Sequence, residues 1–484
     1  MTKSKRVLQA ALCMAAVLVL VLALPVAALV AGFALPAQYG ATYYGALAGM
    51  TEKLYGAEGK KIVVIGTSSV PFGVDSALMQ HLLAEGGQEY AVCNFGLYGT
   101  MGVKVMLDLA EDAIGEGDIV VFAPEIGSQT MSLFFSAREV WRAVDGHFGM
   151  LSRLGDNASE LVGGFLEFAS EKASFYRDGA PQGSGIYASA SFNANGDLKN
   201  YSRPENVMPG GVDENGAIAF WEPDAAFVSY VNAYCARVRE KGAEMYFSFC
   251  PMNEAALSDP SPEGLDAYYD RLSDLFDLKM LGDPADSVME REWFYDTNFH
   301  LNEAGMTVHT VRLVEALKAA LGDSSPTDVE LPAMPPLPAE ELPSGEGDVS
   351  DADCFTYAEG AGGRLVTGLT EEGASRTSLV LPYSHAGQPV VGFTADAFAG
   401  NTVLRELTLQ EPVRSIPDGA FDGCTALAKL HVLQRDASRI SVGFEPLRGA
   451  PSCVVYVPAG SLSSYMSDYE WQYLWSDGKV KEAA

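Results

Sequence analysis

The stretch Lys61-Ile-Val-Val-Ile-Gly-Thr-Ser-Ser-Val-Pro-Phe-Gly-Val-Asp-Ser76 decides how the first half of the chain is read. Ile62, Val63, Val64 and Ile65 are four consecutive β-branched residues, a run that suits a buried strand and is too short for a buried helix. Gly66 ends it, and an amphipathic stretch from Asp75 to Ala84 follows. The same order returns at Tyr90–Phe95 with Val103–Ile114, and opens again at Asp118–Ala123. Alternation of this kind builds a parallel sheet with helices on both faces. The expected fold is α/β, a flavodoxin-like three-layer sheet whose ligands sit where the loops after Ile65, Phe95 and Ala123 converge.

Residues 127 to 222 break the alternation and read as an insertion with helices near Ala137–Val144 and Glu160–Lys172. The pattern resumes with a helix over Ala225–Lys241, a strand over Glu244–Phe249, a helix over Leu265–Phe276, a short strand at Leu278–Leu281 and a closing helix over Asn302–Leu321. From Ser324 to Asp351 the chain carries six prolines, several acids and few large apolar residues, the composition of an extended linker. Beyond it, Ala397, Phe398, Gly400, Thr402, Leu404, Leu407 and Leu409 match Ala420, Phe421, Gly423, Thr425, Leu427, Leu430 and Val432 at an offset of 23. That period marks leucine-rich repeats, which add one strand per unit and bury it on the neighbours. The expected organisation is an N-terminal anchor over 1–36, an α/β domain over 38–323, a linker over 324–351 and a small repeat domain over 352–484.

Lys3, Lys5 and Arg6 precede a run from Val7 to Leu35 without a charged residue. The run exceeds the roughly 20 residues that a spanning helix needs, and the basic cluster keeps the N-terminus inside. The expectation is one transmembrane helix that tethers both folded parts to the outer face of a cell membrane. A cleaved signal peptide, with an apolar core of about 7 to 15 residues, fits the run less well. A net charge of −31 excludes nucleic acid as a partner, because phosphates are held by clustered Lys and Arg. Three cysteines in each folded part read as buried free thiols. Neither HExxH nor paired Cys/His spacing occurs, so no metal and no cofactor is expected.

Of six histidines, only His300 combines a loop position after a strand with a carboxylate four residues earlier, in Phe294-Tyr-Asp296-Thr-Asn298-Phe-His300. That makes His300 the candidate base and Asp296 its orienter. Ser68 stands where a strand opens into a helix, and backbone N–H groups there favour developing negative charge. The Gly96 N–H, in Asn94-Phe-Gly96-Leu-Tyr-Gly99, is the candidate to complete an oxyanion hole with that of Ser68. Glu125, Asn94, Asn253 and Asn298 are candidate substrate contacts. Each also has a plain structural reading, since an Asn after a strand most often forms a turn.

Taken in order, IGTSSVPFGVDS (65–76), FSFCPMN (247–253) and FYDTNFHLNEAG (294–305) resemble the SGNH/GDSL hydrolase family in a membrane-anchored bacterial branch, over about residues 40 to 322. The resemblance implies that Ser68 is the nucleophile, His300 the base and Asp296 its orienter, with the oxyanion held by Ser68 and Gly96 N–H groups. Two departures stand out. The family's third block supplies an Asn from Gly-x-Asn, where this chain has Ala123-Pro124-Glu125, and its Asp precedes the His by three residues instead of four. The repeats resemble the BspA type, with Ile416, Ala420, Phe421, Gly423, Cys424, Leu427 and Leu430 in the consensus places. Together the resemblances imply an extracytoplasmic serine esterase or O-acyltransferase acting on acyl esters of cell-envelope glycans. The alternative is a surface binding or adhesion protein whose repeats engage a protein or surface partner and whose α/β domain is an inactive scaffold.

Overall fold

A computed structural model describes residue 23 and residues 25–126, 136–155, 158–183, 185–208, 218–220, 222–337, 351–443, 445–468, 470–471, 474 and 479–483. Strands β1 (Lys61–Gly66), β2 (Ala91–Gly96), β3 (Ile119–Ala123), β4 (Glu244–Ser248) and β5 (Lys279–Leu281) form an all-parallel sheet in the order β2-β1-β3-β4-β5. Every residue of β1 and β3 is buried, as a parallel sheet covered on both faces requires. The strand read as starting at Asp118 starts one residue later. The Asp118 carboxylate instead accepts from the N–H groups of Lys61 and Gly115 and pairs with the Lys61 ammonium, tying the feet of β1 and β3 together.

Around the sheet and in the insertion lie helices α1 (Ala46–Gly56), α2 (Ser69–Gly73), α3 (Ser76–Glu85), α4 (Val103–Glu111), α5 (Ala137–Ala143), α6 (Ala158–Asp178), α7 (Ala225–Glu240), α8 (Pro262–Leu275) and α9 (Glu303–Leu321), besides shorter ones. Ile62, Val64 and Val121 point to one face and pack on Met79, Leu82 and Leu83 of α3 and Val311, Val314 and Leu317 of α9. Val63, Ile65, Val120 and Phe122 point to the other, with Leu47, Met50 and Leu54 of α1 and Phe227, Val231 and Tyr234 of α7. Asp75, Asp224, Ser261 and Asn302 each accept from backbone N–H groups in the first turn of the helix they precede, which fixes where α3, α7, α8 and α9 begin.

The insertion carries α5 and α6, and α6 runs six residues past the Lys172 end read from the sequence, to Asp178. The chain entering the domain lies along it. Phe33 stacks on Phe165 at 5.1 Å and meets Trp141 and Phe148 edge-on. Lys172 Nζ donates to Gly32 O at 2.9 Å and pairs with Asp145 at 2.6 Å, and Asp145 also accepts from the Gln38 N–H at 2.7 Å. Most of the segment read as an anchor over 1–36, namely residues 1–22 and 24, lies outside the described residues. Among the described residues no helix is long and apolar enough to cross a membrane.

The first residues of the segment read as a linker lie against the α/β part. Val329 packs onto the α3/α9 side of the sheet, and Lys318 Nζ donates to Pro326 O at 3.4 Å. Beyond them Leu331, Met334 and Leu337 are exposed, and residues 338–350 lie outside the described set. The C-terminal part opens with an antiparallel pair, Phe355–Gly360 with Gly363–Leu369. A parallel ladder of Ser378–Val380, Glu406–Leu409, Lys429–Val432, Val454–Val457 and Val480–Glu482 follows. Leu407 faces Leu430 and Leu409 faces Val432, so positions 23 apart in the sequence stack directly. Cys93, Cys235, Cys250, Cys354, Cys424 and Cys453 are buried free thiols.

Two stability predictions follow from these buried groups. Asp145→Ala leaves the Lys172 ammonium buried without its partner, and urea unfolding should show a loss of about 3 to 5 kcal/mol. His309 of α9 bonds through Nδ1 to Gly73 O, at the end of α2, and burial depresses its pKa below 6.5. The unfolded chain therefore binds the extra proton first, so stability should fall as pH drops through the unfolded value of about 6.5. His309→Gln should flatten that dependence in a series of unfolding curves from pH 7 to pH 5.

Candidate active site

β1 ends at Gly66, and the chain turns through Thr67 and Ser68 into α2, with the Val70 N–H returning to Thr67 O. A Cβ on Gly66 would collide with Ala123 O, and one on Gly96 would collide with Thr67 O, so both glycines are needed for close packing under this turn. Ser68 is left half-exposed at the carboxyl edge of the sheet, while Thr67 and Ser69 are buried on either side.

The histidine arrives on a loop that closes on itself. Phe294 and Leu301 form an antiparallel bridge, the Tyr295 N–H donates to His300 O at 2.7 Å, and Thr297 Oγ1 accepts from the N–H groups of Phe299 and His300. This closure turns the side chains of Asp296 and His300 the same way despite their four-residue spacing. His300 Nδ1 lies 2.8 Å from Asp296 Oδ1, and His300 Nε2 lies 2.9 Å from Ser68 Oγ. With Nδ1–H donating to the carboxylate, Nε2 accepts from the hydroxyl. Phe72 of α2, fully buried, stacks on the imidazole at 3.8 Å and 9°, so the helix that follows Ser68 also holds the plane of the ring.

Tyr187, from the insertion, donates to Asp296 Oδ2 at 2.6 Å, and its hydroxyl stands 3.4 Å from His300 Nδ1. Burial of that hydroxyl and the neighbouring Asp296 push its pKa well above the ordinary phenol value, so it stays a donor. The segment carrying it is pinned to the chain start, where the N–H groups of Gly183 and Ser189 donate to Ala41 O and Thr42 bridges Ala188. The same pairing packs Tyr43 on Tyr187 and Tyr98. The Tyr43 hydroxyl is buried without a hydrogen-bond partner among the described residues. Burial, Asp296 and Glu125 all raise its pKa. Sequence reading missed Tyr187, Tyr43 and Phe72. The first two lie where no periodicity shows, and Phe72 is indistinguishable from an ordinary core residue.

The other candidate residues divide. Glu125 reaches Ser68: its Oε1 accepts from the Ser69 N–H at 3.1 Å and stands 3.5 Å from Ser68 Oγ. Asn94 turns away, since its amide nitrogen donates to Val74 O and Asp197 Oδ1 and so joins a buried polar knot with Ser76 and Asn193. Asn253 and Asn298 bond to each other, side chain to side chain at 3.0 Å and backbone to backbone at 2.9 Å, bracing the histidine loop on the chain after β4. Gly96 lies beneath the turn, where an added Cβ would strike Thr67 O and Val70. Gly99 is the glycine beside the cleft, where an added Cβ would stand 3.7 Å from Glu125 Oε2.

No protein-family model matches the chain, and no curated protein matches it. Among solved structures, the crystal structure of the YXIM protein of Bacillus subtilis is similar to 55% of this chain at 12% identity, with a TM-score of 0.27. The similarity spans 58% of the length of that protein.

Three histidines elsewhere have structural partners. His81 meets Glu85, His431 meets Glu406, and His385 stacks on Tyr357 at 3.7 Å. Among the described residues no group of His, Cys, Asp and Glu is arranged to hold a metal ion. The arrangement at the sheet edge can therefore be tested by its own reactivity. Removing the Tyr187 donor should loosen the imidazole without abolishing proton transfer. Tyr187→Phe should slow labelling of Ser68 by a fluorophosphonate about tenfold, whereas His300→Ala should slow it by about 10² or more. Mass spectrometry of the labelled peptide and the labelling rate check both.

Proposed function

We propose that the chain is an extracytoplasmic serine esterase or O-acyltransferase of the SGNH/GDSL type, acting on acyl esters such as those of cell-envelope glycans. The observation that carries the reading is the hydrogen-bonded line from Ser68 Oγ to His300 Nε2 and from His300 Nδ1 to Asp296 Oδ1, at 2.9 and 2.8 Å. The five-stranded order β2-β1-β3-β4-β5 supports it, because the line lies outside the carboxyl ends of β1 and β3, where doubly wound sheets bind ligands.

In this reading Ser68 Oγ attacks the ester carbonyl as its proton passes to His300 Nε2. Asp296, held by Tyr187, keeps the Nδ1–H in place and stabilises the imidazolium. The imidazolium then protonates the leaving alkoxide, and the acyl group remains as an ester on Ser68. A water or an acceptor hydroxyl gives its proton to Nε2, attacks the same carbonyl and releases Ser68. In this reading the Ser68 N–H is the backbone donor for the developing oxyanion, and Glu125 stands where the family resemblance leads one to expect an amide donor. A carboxylate there opposes negative charge, and one missing donor costs about 10² to 10³ in rate. The proposed activity toward a simple neutral ester is accordingly slow.

The C-terminal ladder, with its 23-residue register, supports a BspA-type leucine-rich repeat module that binds a protein or surface partner. The anchor run Val7–Leu35 supports attachment to the outer face of a membrane.

The full chain in detergent should hydrolyse p-nitrophenyl acetate, and Ser68→Ala should lower the rate by at least about 10³. Equal rates for the two proteins would sink the enzymatic reading in favour of a binding protein on an inactive scaffold. Glu125→Gln keeps an acceptor for Ser69 and adds an amide donor. It should raise kcat on the same ester by about tenfold or more, and a fall in kcat would mean that Glu125 is needed by the reaction.

A further inference from the structure

Between residues 25 and 323, every exposed large apolar side chain among the described residues lies on one of two segments. Val26, Leu29, Val30 and Phe33 lie on the chain entering the domain, and Val162, Leu166 and Tyr176 lie on α6. Val162 is 73% exposed and Leu166 58%, one helical turn apart and hence on one face. The two segments are neighbours. Gly32 rests on the Phe165 ring with no room for a Cβ, Phe33 stacks on the same ring, and Lys172 holds Gly32 O. Gly163, between them, is also exposed and residues 161–166 carry no charge, while the exposed Glu160 and Glu167 flank the stretch on either side.

A patch of this kind needs a cover, and the sequence names it. The uncharged apolar run from Val7 continues without a break into Val26–Phe33, so the medium that solvates the run also reaches the patch. We propose that Val26–Phe33 together with Val162 and Leu166 of α6 form a lipid-facing shelf set into the interfacial layer of the outer leaflet. The α/β domain then lies against the bilayer with α6 at its surface. This inference rests on the membrane-anchor reading of residues 7–35 and is independent of the catalytic one.

The test uses the full chain reconstituted in phosphatidylcholine/phosphatidylglycerol vesicles, with an NBD fluorophore on Leu166→Cys, on Val162→Cys or, as a reference, on Glu263→Cys of the exposed side of α8. Unsubstituted protein carried through the same labelling reports any reaction of the native thiols. The shelf predicts blue-shifted emission at positions 162 and 166, and quenching by acyl-chain nitroxide lipids about twofold stronger than at 263. Emission at 162 and 166 equal to that at 263, in protein that floats with the vesicles, overturns the shelf and leaves the anchor standing. A blue shift without acyl-chain quenching means that a second copy covers the patch, which also overturns it. Protein that fails to float removes the anchor reading and the shelf with it.

Discussion

The candidate site depends on how the segment from Phe294 to Leu301 closes. A backbone bridge at its mouth, the Tyr295 N–H on His300 O and the Thr297 hydroxyl on two N–H groups leave the loop one conformation in which a carboxylate and an imidazole point together. Three other pieces then need only to be brought to that point. β1 delivers Ser68, α2 delivers the Phe72 ring under the imidazole, and the insertion delivers the Tyr187 hydroxyl behind the carboxylate. Contacts remote from Ser68 and His300 hold the loop and two of these pieces: Asn253 on Asn298 for the loop, His309 on Gly73 for α2, and Ala41 beneath the Tyr187 segment. The site is therefore pre-organised by backbone pairing, a stiffer device than side-chain packing alone.

Much of this was legible in the sequence, and for identifiable reasons. The β-branched run at 62–65 and the Gly66 stop could hardly be anything but a buried strand and its edge. The pairing of Asp296 with His300 stood out because few histidines compete. The leucines of the C-terminal part announce their own register, since Leu407 and Leu430 share one pattern and face each other in the ladder. What stayed hidden was tertiary. Asn94 reads as a polar residue near the cleft, yet its amide is consumed by Asp197, more than a hundred positions away. Tyr187 sits in a Gly- and Ala-rich stretch with no periodicity, and only its pairing with residue 41 gives it a place. Gly96 and Gly99 look equivalent on paper. The packing of the sheet separates them, one under the turn and one at the cleft.

Glu125 is the point at which local chemistry and overall geometry pull apart. The loops around it have the form of a site that stabilises negative charge, and the residue itself is an acceptor bonded to the Ser69 N–H. Sites that violate their own local rule are commonly where function has been adjusted. A carboxylate this close to Ser68 Oγ disfavours a second negative charge in the same space.

The clamp at Gly32 has a mechanical meaning. Lys172 and Asp145 seize the chain just as it enters the domain, and Gln38 is held by the same carboxylate six residues later. No slack is left to act as a leash. A pull on residues 25–31 is therefore passed straight to α6 and the insertion, as through a rigid bracket, with no free segment to absorb it.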